Sequence, residues 1–187
     1  YVTKDDIDFL VKLGVRDSKQ MSDADMLKIG PLLMERIPHS LLIVLPQKYN
    51  RVHESNNLNA IKAKLHNQAY INLAKKIELP SFKIIDQFTP ETSYYRYLKN
   101  EPQIIHGIHF ETKAEDKYLS VAVGSIISRY GFLKTWEEME KKYNMTLPKG
   151  SGDKVDIVAQ AFVERYGLER LGEIAKLHFK NTEKIRV

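Results

Sequence analysis

The chain of 187 residues contains no cysteine, which excludes disulfides and thiolate metal sites and suits a reducing cytosol. No window approaches the roughly 18 consecutive apolar residues of a membrane span, and no charged, apolar, small-residue pattern opens the chain. A soluble, cytoplasmic product without a membrane partner is therefore expected. Internal repeats, low-complexity tracts and long linkers are also missing, so a solenoid or a tethered multidomain array is excluded. What remains is ordinary globular composition, 43% hydrophobic and 28% charged. That length fits a single domain over residues 1–187, able to bury about 70% of the surface its unfolded form would expose. Lys and Arg number 29 against 24 Asp and Glu, a net +5, so polyanions are plausible partners on electrostatic grounds.

The pattern along the chain predicts an α/β domain, a small mixed sheet flanked by helices and closed by two C-terminal helices. Tyr1 and Val2 read as the tail of a strand, so the chain is expected to be a fragment. Thr3 caps a first short helix that Gly14 ends. Ser22 caps a second, with Met26, Ile29, Leu33 and Ile37 inward and a kink or restart expected at Gly30-Pro31. The apolar run 40–45 has the character of a strand covered on both faces. From about Ser55, Leu58, Ile61, Leu65, Ala69, Leu73 and Ile77 recur at helical spacing. That helix feeds a strand over 82–86, giving a βαβ unit. A short helix over 91–99, an edge strand over 104–110, a long helix over 118–143 that Gly131 can divide, and inward faces of Val155, Val158, Ala159 and Phe162, then Leu168, Leu171, Ile174 and Leu177, complete the pattern.

Phe82-Lys83-Ile84-Ile85-Asp86 delivers a carboxylate to a strand end, where Asp86 is either a turn-former or a ligand. Glu111-Thr112-Lys113-Ala114-Glu115-Asp116-Lys117 places acids in a helix's first turn, where they serve the macrodipole or, as Glu115 with Asp86, offer the oxygen-only donors a hard divalent ion selects. Arg16-Asp17-Ser18-Lys19 is a solvated turn or a phosphate grip. Pro148-Lys149-Gly150-Ser151-Gly152 allows close backbone approach to an anion but lacks Walker spacing. The six histidines show no two-ligand spacing and are assigned no metal, His66 being read as a hydrogen-bonded helix residue. Of Tyr94, Tyr95 and Tyr97, two are expected in the core.

Taken together, these pieces resemble the type 2 ribonucleases H, and within them the HIII branch. The resemblance runs through Gly14-Val15-Arg16-Asp17-Ser18-Lys19, Lys62-Ala63-Lys64-Leu65-His66-Asn67, Ile85-Asp86-Gln87-Phe88, Lys113-Ala114-Glu115, Val121-Ala122-Val123-Gly124-Ser125-Ile126-Ile127-Ser128-Arg129, Leu147-Pro148-Lys149-Gly150 and His178-Phe179-Lys180-Asn181-Thr182. Order and spacing make the set specific over nearly the whole chain. The resemblance implies an RNase H-like fold that cuts the RNA strand of RNA/DNA hybrids with two divalent ions, Mg²⁺ or Mn²⁺. Of the family's four carboxylates it assigns Asp86 to the third and Glu115 to the fourth, with Asp116 as the alternative. It assigns Ser18, Lys19, Lys113, Arg129, Lys149 and Gly150 to the substrate.

The first two carboxylates belong to an Asp-Glu-Val-Gly-Thr-Gly motif that this sequence does not contain. The resemblance therefore implies that the first strand or strands of the fold lie outside it and that the chain alone is inactive. An intact protein, expected to be a monomer, would carry the missing segment, or a separate chain would. The alternative is a non-catalytic nucleic-acid-binding module.

Overall fold

The computed structural model describes residues 1–15 and 20–185. They fall into two compact units, Tyr1–Leu42 with Leu58–Leu133, and Ile43–Asn57 with Lys134–Val187.

In the first unit, the N–H and hydroxyl of Thr3 both donate to the Asp6 carboxylate, at 2.9 and 2.7 Å, and a 3₁₀ turn, Lys4–Asp6, leads into α1, Ile7–Lys12. Gly14 follows at φ 73°, a left-handed value that costs glycine nothing. Helix α2, Asp23–Arg36, opens on a reciprocal box in which Ser22 Oγ accepts from the Asp25 N–H and the Ser22 N–H donates to the Asp25 carboxylate. No restart occurs at Gly30-Pro31, and α2 runs through Pro31. Gly30 marks a close approach, since a Cβ there would run into the Tyr130 ring. Gly131 likewise leaves the later helix α6, Leu119–Tyr143, unbroken, and Leu41 occupies the space a Cβ there would take. Leu10, Met26, Ile29, Leu33, Ile37, Ala122, Ile126 and Ile127 form the resulting core.

The apolar run 40–45 forms no strand among the described residues. Ile43 and Leu45 are about half exposed, so continuous apolarity did not mean two covered faces. The parallel βαβ unit lies one element later. Strand β1, Lys83–Asp86, is followed by α5, Glu91–Leu98, and β2, Ile108–Glu111. Lys83 pairs with Ile108 and Asp86 with Glu111. Between 42 and β1 runs α4, Leu58–Ala74, whose buried face is Ala60, Ile61, Ala63 and Asn67; Leu58, expected inside, is 41% exposed because it heads the helix. Asn67 donates to the Gln103 carbonyl at 2.8 Å and accepts from the Ile105 N–H at 2.9 Å, fixing the approach to β2. Tyr94 and Leu98 of α5 pack with Ile85 and Ile108. Phe82, expected as strand core, is 54% exposed; its ring lies against His109 and Tyr118.

The second unit contains α3, Pro46–His53, the end of α6 and α7, Asp153–Tyr166. Pro46 occupies the first turn of α3, where its missing N–H has no intrahelical partner to lose. Tyr143, Phe162, Val163 and Leu171 form its core. The second expected C-terminal helix is a short 3₁₀ segment, Leu168–Glu173. Asn50 Nδ2 takes the Gly172 and Ala175 carbonyls at 3.1 and 2.9 Å, acceptors that a continuing α-helix needs for its own N–H groups.

Candidate active site

The parallel pairing ends with two carboxylates in register, Asp86 on β1 and Glu111 on β2. The Gln87 N–H extends the ladder to the Glu111 carbonyl at 2.9 Å. Beyond Glu111 the chain reverses through Lys113, which sits in the left-handed region at φ 55°, ψ 39°, and enters a single 3₁₀ turn, Ala114–Asp116. Ala114 is fully buried, and its N–H donates to Asp86 Oδ1 at 2.9 Å. That bond ties the β1 terminus to the turn that carries Glu115. Asp86 is exposed, whereas Glu115 Oε2 has no solvent access.

Asp86 and Glu115 line the same cleft, of about 950 Å³, together with His66, Tyr70, Lys83 and Ser120. Tyr70 donates its hydroxyl to the Ile84 carbonyl at 2.7 Å, and burial pushes its pKa up to about 12. It is a fixed wall of the cleft rather than a proton carrier. Burial, followed by the Lys62 charge, pushes the His66 pKa down against the pull of Asp86. The ring, tilted on Phe88 at 5.2 Å, is a neutral neighbour of the carboxylate. The reading of His66 as a helix residue and not a metal ligand missed this adjacency, which the sequence separation of 20 residues conceals.

Glu111 accepts from Lys117 Nζ, lies 3.0 Å from His109 Nε2 and accepts from the Tyr118 hydroxyl at 3.1 Å. Lys117 first and His109 second hold its pKa down at about 2. This cluster ties the turn 113–118 back to β2. Sequence reasoning named the Glu111 stretch but had no means of seeing that strand register would set Glu111 beside Asp86.

The remaining sequence-predicted residues are spread out. Asp116 is exposed, does not line the cleft and lies next to Glu115 in the same 3₁₀ turn. Lys113 is exposed at the turn itself. Arg129 forks onto Asp23 with Nε–Oδ1 at 2.8 Å and Nη2–Oδ2 at 3.0 Å, and its guanidinium lies 5.0 Å over the Phe132 ring. Lys149 and Gly150 belong to the second unit, both exposed, with Gly150 at φ 101°. Ser18 and Lys19 lie outside the described residues.

Oxygen donors from Asp86 and Glu115 match the preference of hard divalent cations such as Mg²⁺ or Mn²⁺. Among the described residues, however, no three or more His, Asp or Glu side chains gather as a metal site. Two carboxylates on one cleft fall short of such a cluster.

A parallel strand pair packed against α4 and α5 and ending in a carboxylate-lined cleft places this protein among the α/β proteins of RNase H-like fold. The chain belongs to the ribonuclease HII family, whose profile matches residues 1–182. It is 46% identical over 188 residues to ribonuclease HIII of Streptococcus gordonii, covering 100% of this chain and 64% of that protein. Ribonuclease HIII of Listeria monocytogenes is 44% identical, with 98% and 61% covered. The crystal structure of Bst-RNase HIII in complex with Mn²⁺ superposes with a TM-score of 0.95 at 40% identity, covering 98% of this chain and 61% of that one. The chain therefore spans between three fifths and two thirds of the length of these relatives. No helix among the described residues is long and apolar enough to cross a membrane.

Proposed function

We propose that this chain supplies part of the active site of a metal-dependent endonuclease that cuts the RNA strand of RNA/DNA hybrids. The observation that carries the reading is the placement of Asp86 and Glu115 on one cleft, with Asp86 tethered through the Ala114 N–H. Asp86 and Glu115 would hold a Mg²⁺ or Mn²⁺ ion, which would supply a water of lowered pKa and charge neutralisation at the leaving oxygen. Asp86, with one oxygen engaged by Ala114, turns the other toward solvent and so is oriented to bind without reorganising. Glu115 offers a second oxygen ligand from a rigid turn, and Asp116 is the alternative in that turn. Lys113, Arg129, Lys149, Gly150, Ser18 and Lys19 are proposed to meet the phosphates, a role in which cations position the duplex without reading sequence.

Two carboxylates do not complete a two-ion site. The Asp-Glu pair of the family motif is absent from these residues, and the open cleft beside β1 supports an extended segment carrying that pair as its occupant, either in the same polypeptide or in a separate chain. In an intact protein, which we expect to be a cytoplasmic monomer, the 187 residues act as one catalytic-domain portion. These residues alone are proposed to be inactive, and turnover of a labelled hybrid by them would contradict this. In a protein that also carries the Asp-Glu strand, Asp86→Asn should abolish cleavage and leave folding and hybrid binding near normal. Unchanged cleavage with Mg²⁺ or Mn²⁺ would remove Asp86 from the site.

The lack of a three-ligand cluster among the described residues favours, as a second reading, a non-catalytic hybrid-binding module. Hybrid affinity that depends steeply on salt but not on metal would select it.

A further inference from the structure

A cluster of rings in the second unit plays no part in the site above. His53 of α3 and His178 stack face to face, with centroids 4.2 Å apart and planes 18° from parallel. Phe179 continues the series at 4.2 Å from His178. Tyr49, almost fully buried, supports both histidines at 5.4 and 5.5 Å, and Lys176 Nζ lies 4.4 Å over its ring. The segment carrying His178 and Phe179 is clamped: Asn50 Oδ1 accepts from the Leu177 N–H at 3.0 Å, and Thr182 Oγ1 lies 2.7 Å from both the Leu177 and the Phe179 carbonyl oxygens, which share its single proton. Burial, His53 and Lys176 push the His178 pKa down.

This series ends in the open. Phe179 is 52% exposed and Leu177 45% exposed. The exposed charges on the same two segments are mostly positive, with Lys48 and Arg51 on α3 and Lys176 and Lys180 beside the rings, against Glu54. An exposed π-face on a rigid support, flanked by cations, is the arrangement on which bases stack while phosphates are neutralised.

We infer that Phe179, backed by the His178–His53 stack and flanked by Lys176 and Lys180, is a stacking platform for an unpaired nucleotide of a single-stranded nucleic acid. This deepens the nucleic-acid reading above, yet it uses none of the cleft residues. The test is fluorescence anisotropy of a labelled single-stranded 20-mer deoxyoligonucleotide with the full 187-residue chain. Phe179→Ala should weaken binding about tenfold. Phe179→Leu keeps the bulk without the ring and should weaken it equally, whereas Phe179→Trp should bind at least as well as the parent. Lys180→Gln should lower the slope of log affinity against log salt by about 1. Failure of the parent chain to bind the oligonucleotide overturns the inference, and so does parental affinity in Phe179→Leu, which would make the ring a packing element only. Because Asp86→Asn should leave this binding untouched in the 187-residue chain while removing hybrid cleavage in a protein that also carries the Asp-Glu strand, the two readings fail separately.

Discussion

Asp86 and Glu111 end neighbouring strands in the same register, yet their surroundings are opposite. Glu111 is met by Lys117, His109 and Tyr118, and its pKa of about 2 expresses how fully its charge is answered within the protein. Asp86 accepts one hydrogen bond among the described residues, from a backbone N–H, and remains exposed. A carboxylate satisfied by fixed donors organises structure, because any ligand must first displace them. One that is oriented but left with open lone pairs is prepared for a ligand.

The sharpest break between the two is catalytic. In a protein completed by the Asp-Glu strand, Asp86→Asn should eliminate hybrid cleavage. Glu111→Gln should reduce it by about 10- to 100-fold, as expected for a group that holds a ligand-bearing turn without touching the reaction. Equal losses measured by single-turnover cleavage would erase the distinction. A second break acts on the register itself. Asn67→Ala strips the partners from the Gln103 carbonyl and the Ile105 N–H, and leaving such groups unsatisfied costs about 1–3 kcal/mol each. Urea unfolding should report a loss on that scale, with hydrogen exchange rising first in residues 104–111.

Acid should discriminate more finely. The folded Glu111 pKa lies below its ordinary value of 4.5, so the stability it contributes is fully present above pH 4.5 and is lost as pH falls through that value toward about 2. Thermal midpoints should therefore drop over this window in the parent chain. Glu111→Gln should start lower at neutral pH and show a shallower acid decline. An unchanged acid limb in the variant would show that the Lys117, His109 and Tyr118 contacts do not hold the turn.

Much of this arrangement was legible in the sequence, and the failures have physical causes. Ser22 and Gly14 speak through local backbone chemistry, so the start of α2 and the end of α1 could be placed, though only tertiary contact reveals that Gly30 makes room for Tyr130. The apolar run 40–45 misled because apolarity reports burial in some environment and not the presence of a ladder. Residues 168–177 misled in the opposite way, since helical spacing is overridden where Asn50 captures the carbonyls. Asp86 and Glu115 were named through family spacing, and both line one cleft; their role as ligands is the proposal made above. Glu111, Asn67 and the ring stack on Phe179 have no local signature, because each depends on residues brought together across the fold.

Lys113 offers the gentlest test of the contrast, because it joins the satisfied carboxylate to the open one. A lysine at φ 55° bears a left-handed penalty of about 1–2 kcal/mol, which glycine would relieve at a cost of about 0.5–1 kcal/mol in unfolded-chain entropy. Lys113→Gly should then stabilise the chain by about 0.5 kcal/mol. If the side chain also meets a phosphate, the same change should lower the salt slope of hybrid binding by about 1. Destabilisation would mean that Lys113 holds the turn through its side chain and that the backbone reversal is not strained. A stability gain with an unaltered salt slope would confine Lys113 to the geometry of the turn and leave the strain there as the means by which Glu115 is presented beside Asp86.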